Sequence, residues 1–417
     1  METTGKRIVI IGTLDTKADQ LIYLREKIEA RGHRPILIDL STGREPPRKA
    51  EVTAAEIASL TGKNIERLRS AQDRADAAQA MTTGLELKVL ELFSHGEVDG
   101  IVALGGATTT NMASRVMQKL PFGVPKALGV TAVMPAFAGI WFNATDIVVM
   151  QTIIEFAGMN DLVKSVIERL AGTISGMTEE ARPHDTLQLP YPSIAITEYG
   201  FSQKCAQQVR TLLEEKGYHV FSFSAQGISD RAMEKLISQG FLHGVIDIVP
   251  SGLSDALTGG RRASGKERLD AAAEKGIPQV LTPAGINMTG CGPTRQVDKE
   301  KYNSRPRILK MDEQRWMTRY TPEELKEHAK VYAGKLNKSK GPTMVLVPLR
   351  GWSSADREGG ILYDPDEDKI FVEELKKHLK PEVGILEIDS NLEDVVFAEA
   401  VVDNFDKIFK KFKGIGA

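Results

Sequence analysis

The sequence predicts an α/β protein of two Rossmann-like, doubly wound lobes with mostly parallel sheets and an interlobe cleft. Three observations carry that expectation. Short β-branched runs alternate with longer stretches of helical periodicity, the pattern of βαβ units, whose strands lie parallel because each crossover is a helix. The layout of residues 7–43 returns at 193–227. The chain of 417 residues, at about 150 per domain, can supply two or three self-sufficient cores.

Taken in order, Ile8-Val9-Ile10-Ile11 is a buried-strand run, followed by a turn at Gly12-Thr13. A helix is expected over Asp19–Ala30, where Leu21, Ile22, Leu24 and Ile28 fall at helical spacing, with Gly32 as its C-cap. Pro35–Leu40 reads as the second strand, 52–80 as helix-rich, and Met81–Ser94 as a further helix. Gly100–Leu104 is a strand ending in Gly105-Gly106, Ala107–Lys119 a helix, and Pro125–Val130 a strand. Farther on, VDGIVALGGATTTNMASRVM (98–117) is echoed by LHGVIDIVPSGLSDAL (242–257), and GVPKALGVTA (123–132) by GIPQVLTPAG (276–285). Met344–Leu349, Asp368–Leu379 and Val383–Asp389 look like one more strand–helix–strand unit. Three prolines and few apolar residues at 178–192 mark a linker, so the lobes are placed at 1–180 and 193–417 with 181–192 between them.

Composition excludes several function classes. Lys and Arg number 54 against 56 Asp and Glu, and the net charge of −2 argues against nucleic acid as partner. Cys205 and Cys291 form no disulfide framework, which suits a reducing cytoplasm. The N-terminal apolar run is too short for a signal peptide, and no stretch approaches the ~18 apolar residues of a span, so no membrane contact is expected. Seven histidines without paired spacing leave no zinc signature.

Ligands in open α/β sheets bind beyond the carboxyl ends of strands. The first such loop is Gly12-Thr13-Leu14-Asp15-Thr16-Lys17. Its backbone N–H groups and the following helix end suit an anion, the hydroxyls and Lys17 add donors, and Asp15 can hold a metal-bound water. It matches neither Walker A nor GxGxxG. Asp15 or Thr16 as an N-cap, with Lys17 on a solvated face, is compatible with the same residues. The second loop is Gly105-Gly106-Ala107-Thr108-Thr109-Thr110-Asn111, a helix start of poor propensity unless it cradles a phosphate or carboxylate. The third begins at Thr131, with Lys126 at the head of its strand, facing the same cleft or capping the sheet edge. The second lobe supplies a parallel set in Gly200-Phe201-Ser202, Ser224 to Gly227, Pro250-Ser251-Gly252, Gly259-Gly260-Arg261-Arg262 and Pro283 to Asn287. Cys205 has no neighbouring histidine and reads as an inert buried thiol. Ser251 and Ser353 lack a nucleophile elbow. The acidic run Asp364 to Asp368 reads as a helix start and solvated loop.

GTLDTK (12–17), GGATTT (105–110), LPFGVPK (120–126), TDIVVMQTIIEFAGMN (145–160), AGKLN (333–337) and PLRGWSSAD (348–356) together resemble the Tm-one-like ATP-binding family, which is related to the N-terminal half of the tomato mosaic virus resistance protein. The resemblance runs from about residue 6 to 405. It implies two Rossmann-like lobes and a phosphate ligand, and carries onto Gly12, Thr13, Asp15, Thr16, Lys17, Gly105, Gly106, Pro125, Lys126, Thr131, Asp146 and Gly158-Met159-Asn160. The second lobe departs from the family strings at Phe223 to Asp230, Val249 to Gly252, Gly285 to Met288 and Met311 to Gln314, while Gly259-Gly260 and Arg268-Leu269 remain. That departure implies another ligand in the second lobe, or binding without shared catalysis.

The expected function is therefore binding of ATP or another phosphorylated small molecule by the first lobe, facing the cleft. Backbone donors come from Gly12-Thr13 and Gly105-Gly106, hydroxyls from Thr16 and Thr108-Thr109-Thr110, and charge from Lys17, with Lys126 and Thr131 as further contacts. Asp15 would position magnesium or a ribose hydroxyl. Gly227, Ser251, Gly259, Gly260, Arg268 and Asn287 are the second-lobe candidates; no residue is assigned a catalytic role. One alternative is a catabolic lyase or hydrolase of an anionic carbonyl compound, with Arg268 or the Ser251 loop closing a carboxylate cradle. Another is a nucleotide-regulated interaction module. The partner expected in either case is a small phosphate or carboxylate, and a homo-oligomer is the default assembly.

Overall fold

A computed structural model describes residues 5–70, 74–131, 133–181 and 189–414, which form two compact units, Met1–Leu187 and Gln188–Ala417. Residues 182–188, the middle of the expected linker with His184, lie outside the described residues.

In the first unit the strands are β1 (Arg7–Gly12), β2 (Arg34–Asp39), β3 (Gly100–Gly105), β4 (Lys126–Val130) and β5 (Val148–Gln151). They form one sheet in the order β2-β1-β3-β4-β5, parallel throughout. Between them run α1 (Leu14–Glu29), α2 (Ala54–Ser59), α3 (Ile65–Ser70), α4 (Arg74–Ser94), α5 (Ala107–Met117) and α6 (Pro135–Trp141), and α7 (Asp161–Glu180) follows. The period of two in a strand explains why β1 is apolar at every position. Val9 and Ile11 pack toward α4 and α5, while Ile8 and Ile10 pack toward α1 and α7.

The second unit repeats this plan. Strands β6 (Ser193–Glu198), β7 (His219–Ser224), β8 (Gly244–Asp247), β9 (Gln279–Leu281), then β10 (Met288–Cys291), β11 (Ile308–Lys310), β12 (Trp316–Arg319), β13 (Thr343–Pro348) and β14 (Gly384–Ile388) make two sheets. The larger, β14-β13-β9-β8-β6-β7, is parallel, so β7-β6-β8-β9 has the order of β2-β1-β3-β4. The internal echo is thus a repeat of topology. The smaller sheet, β10-β12-β11, is antiparallel and is inserted between β9 and β13. The helices are α8 (Gln203–Glu215), α9 (Ile228–Ser238), α10 (Gly252–Thr258), α11 (Asp270–Lys275), α12 (Pro322–Leu336), α13 (Pro365–His378) and α14 (Val395–Lys413). Among the described residues no helix is long and apolar enough to cross a membrane.

Two expectations change. Helix α1 begins at Leu14 instead of Asp19, because side chains at the end of β2 accept its first N–H groups, and it kinks at Lys17 (φ −133°). The acidic run is not all solvated. Asp364 caps α13 by accepting from Glu367 N–H at 2.9 Å, but Asp368, one turn on, is buried in an ion network.

Candidate functional site

The order β2-β1-β3 places a topological switch point between β1 and β3, where doubly wound sheets open a crevice at their carboxyl edge. Ile11 pairs with Ala103, so the loops at 12–17 and 105–110 leave neighbouring strands about 4.8 Å apart. The two loops singled out in the sequence share one edge.

Their donors are not equally free. Asp39, the last residue of β2, turns its carboxylate onto the start of α1. Its Oδ1 accepts from Leu14 N–H at 2.9 Å, from Ser41 N–H at 3.1 Å and from Ser41 Oγ at 2.5 Å. Ser41 Oγ in turn accepts from Asp15 N–H at 2.9 Å. An internal acid and its serine thus take the first two donors of α1, which an incoming phosphate would have needed. Burial pushes the Asp39 carboxyl up, against the hydrogen bonds from Ser41 and Leu14. Sequence reasoning passed over Asp39 and Ser41. The available signal was an acid closing the second strand of a Rossmann-like unit.

Asp15 is also engaged. Its Oδ2 accepts from Gly43 N–H at 3.0 Å and Arg44 N–H at 3.4 Å, and its carbonyl accepts from Arg44 Nε at 2.8 Å. Gly12 and Gly105 serve close packing: a Cβ would fall 2.5 Å from Leu21 Cδ1 at Gly12, and 2.6 Å from Thr109 Cβ at Gly105. Thr109 and Thr110 are buried, and Thr110 Oγ1 donates back to the Gly106 carbonyl at 3.0 Å. Thr131, just past the end of β4, is buried.

Thr13, Thr16, Lys17, Gly106 and Thr108 remain accessible at this edge. The hydroxyls of Thr13 and Thr16 stand 3.0 Å apart, and Lys17 Nζ donates to the Phe156 carbonyl at 3.2 Å. No side chain caps α5, and the N–H groups of Ala107, Thr108 and Thr109 meet no acceptor among the described residues. A Cβ at Gly106 would meet nothing within 4 Å. Lys126 is not part of this group. It opens β4 at the amino edge, about 13 Å from the strand's other end. Its buried ammonium donates to Pro121 O at 2.8 Å, Val124 O at 2.9 Å and Asp146 Oδ1 at 2.8 Å. Asn160 caps α7 through Val163 N–H at 3.0 Å, and Gly158 O accepts from Gln20 at 2.7 Å, so that motif is scaffold.

In the second unit most candidates prove structural. Gly227 precedes α9 at φ +95°, where a Cβ would meet Ala263 O at 2.9 Å. Gly259 is the left-handed C-cap of α10, and a Cβ at Gly260 would fall 2.4 Å from the Asp255 carboxyl. Arg268 is buried with its guanidinium 2.6 Å from Asp247 Oδ2, 2.8 Å from Glu234 Oε1 and 3.8 Å from Asp230 Oδ2. Asn287 Nδ2 donates to Asp356 at 2.7 Å and Asp368 at 2.8 Å. The Ser251 hydroxyl, by contrast, is buried without a hydrogen-bond partner among the described residues. Burial drives the Cys205 thiol well up, which keeps it protonated and inert.

His328, on α12, gives this unit an acid-sensitive point. It is buried edge-on against Tyr320, with ring centroids 4.5 Å apart. Burial lowers its pKa to about 4, although Glu324 and Asp255 pull the other way. The unfolded chain therefore binds a proton below its ordinary value of 6.5 that the folded chain refuses until about 4. Stability is full above that window and falls as the pH drops through it, by about 3 kcal/mol at its lower end. His328→Phe should flatten the acid limb of a urea-denaturation series between those two pH values, and an unchanged slope would refute the assignment.

Residues 6–183 match the N-terminal domain, and 191–409 the C-terminal domain, of the uncharacterised protein family UPF0261. A UPF0261 protein of Clostridium tetani is 32% identical across 98% of this chain and 100% of its own length. One from Rhizobium meliloti is 30% identical across 95% of this chain and 98% of its own. The tomato (Solanum lycopersicum) ToMV resistance protein Tm-1(GCR237) is 27% identical across 99% of this chain, which spans 57% of that longer protein. With both domains matched in order and relatives collinear from end to end, the chain belongs to the UPF0261 family and has the tomato Tm-1 proteins among its relatives.

Proposed function

We propose that the first unit binds a phosphorylated small molecule, with ATP as the ligand that the family resemblance implies, and that a phosphate rests on the start of α5. The observation that carries this is the uncapped α5 helix beside the β1/β3 switch point, with three N–H donors free and Gly106 open to close approach. Thr108 offers a hydroxyl there, and Thr13, Thr16 and Lys17 stand on the neighbouring loop for further phosphate oxygens. The β1–α1 turn then serves as a wall, because Asp39 and Ser41 already take its donors. A magnesium ion would be held chiefly by phosphate oxygens and water, since Asp15 is spent on Gly43 and Arg44.

Gly106→Ala is a discriminating variant. Its φ of −88° suits alanine and the added methyl meets nothing within 4 Å among the described residues, so the fold should be untouched. Together with Lys17→Ala it should weaken ATP binding about tenfold or more in calorimetry, the worth of one charge-assisted contact. Parental affinity in both variants would show that the ligand sits elsewhere.

A further inference from the structure

Strand β5 ends the sheet of the first unit, and no strand pairs with its far side among the described residues. Thr152 N–H, just past its end, donates inward to Val130 O at 2.9 Å. The period of two then turns the N–H and C=O groups of Val149 and Gln151 outward. Sheet edges are ordinarily guarded by charge, proline or cover. The other edges follow that rule: Val52 bridges to Ile38 beside β2, Glu387 on β14 pairs with Lys376 at 2.7 Å, and β7 interleaves His219, Ser222 and Ser224. Val148-Val149-Met150-Gln151 carries neither a charge nor a proline.

An apolar surface adjoins this edge. Of the nineteen large hydrophobic residues exposed among the described residues, six fall between Met134 and Leu162, a stretch of 29 in a chain of 417. Chance scatter does not account for that density. Helix α6 is tied down beside α5, since Gln118 Nε2 donates to the Ile140 and Trp141 carbonyls at 2.8 and 3.1 Å. Even so, Phe137 and Ile140 on α6 are 42% and 58% exposed, Val148 is 40% exposed, and Ile153 is 83% exposed. Ile153 also has a φ of +68°, which a β-branched residue adopts only under strain. That strain holds an isoleucine out in water, an arrangement that becomes favourable once the side chain is covered.

We infer that β5 pairs antiparallel with β5 of a second copy of this chain about a twofold axis, joining the two sheets, with α6 and Ile153 of each copy packed against the other. The edge is self-complementary. Centred on Met150, the pairing sets Val149 opposite Gln151 twice, with both backbone bonds exchanged each time, and it closes without leaving a free edge there. With about 150–200 Å² for each large apolar residue in the open, these four residues and Met134 present roughly 500 Å² per copy. A symmetric pair thus removes roughly 1,000 Å² before backbone and polar rim are counted, the size at which specific interfaces begin.

Light scattering after gel filtration of the full chain tests this, and a mass of two chains is expected. Ile140→Lys with Ile153→Lys should raise the dimer dissociation constant at least about a hundredfold, because each lysine would be buried unpaired. Val396→Lys, at a residue 53% exposed on α14, should dimerise like the parent. Hydrogen exchange needs no variant: amides of 148–153 should slow at least about tenfold between dilute and concentrated parent protein. A parent still monomeric at about 100 μM, a dimer indifferent to the two lysines, or equal loss in Val396→Lys would each overturn the inference. So would a dimer in which 148–153 gains no protection, or protection that appears only with added phosphatidylcholine vesicles.

Discussion

Arg268→Met should cost the second unit about 3–5 kcal/mol, the loss expected when one partner of a buried ion network is removed. Arg268 is 1% exposed and faces Asp247, Glu234 and Asp230, all within 4 Å. Asp247 closes β8 and accepts from Thr197 Oγ1 at 2.7 Å, which itself accepts from Val249 N–H at 2.8 Å. The guanidinium therefore neutralises one acid at the end of β8 and two on α9, of which Glu234 also holds the Leu269 and Ala271 N–H groups. Without it, Asp247 is left as a buried charge with one hydroxyl. Calorimetric melting should show the transition of the second unit shifted down while that of the first stays in place. The nucleotide binding proposed for the first unit should be unaffected. A variant that melts like the parent but loses a ligand would restore Arg268 to the binding residues.

Arg319→Met should be comparably damaging, with a different pH signature. Arg319 Nη2 lies 2.5 Å from Asp368, Nε 2.6 Å from Glu367, and Nη1 3.5 Å from Asp356. Asn287 joins Asp356 to Asp368, and Trp352 N–H holds Asp356 at 2.9 Å. Burial, and then the neighbouring Asp356, already push the Asp368 carboxyl well above the ordinary carboxylate range. An acid whose pKa rises on folding stabilises the fold when protonated, and that contribution is lost as the pH rises. Removing Arg319 raises the pKa further, so the loss of about 3–5 kcal/mol expected at neutral pH should shrink on acidification. Adding Asp368→Asn should recover part of it at neutral pH. A pH-independent loss would mean that the variant fails through packing alone.

These two networks explain the limits of sequence reading for the sites. The βαβ alternation and the echo of the first lobe in the second were legible because a buried parallel strand must be apolar on both faces, as Ile8 to Ile11 are. The loops after β1 and β3 were legible for the same reason, since strand ends in such sheets are where ligands gather. Strand β5 was missed because it is a short edge strand with mixed burial. The insertion β10-β12-β11 was missed because strands of three or four residues give too little alternation to see.

The roles of individual side chains were another matter. Glycines and threonines at 12–16 and 105–110 promised donors, but donors count only when nothing inside the protein has taken them. Asp39 is 24 residues from Asp15 in sequence and Arg319 is 49 from Asp368. No local pattern reports such pairings. By itself the sequence determined the layers, the repeat and the sheet edge at which the loops after β1 and β3 gather, because hydrophobic periodicity and turn residues act over a few neighbours. Tertiary structure alone decided which polar atoms are left over. It closed α1 with Asp39, buried Lys126, Arg268 and Asn287 in scaffold, and left the start of α5 with N–H groups that meet no acceptor among the described residues. Burial makes each unpaired polar group costly, so which groups remain unpaired depends on contacts between distant parts of the chain.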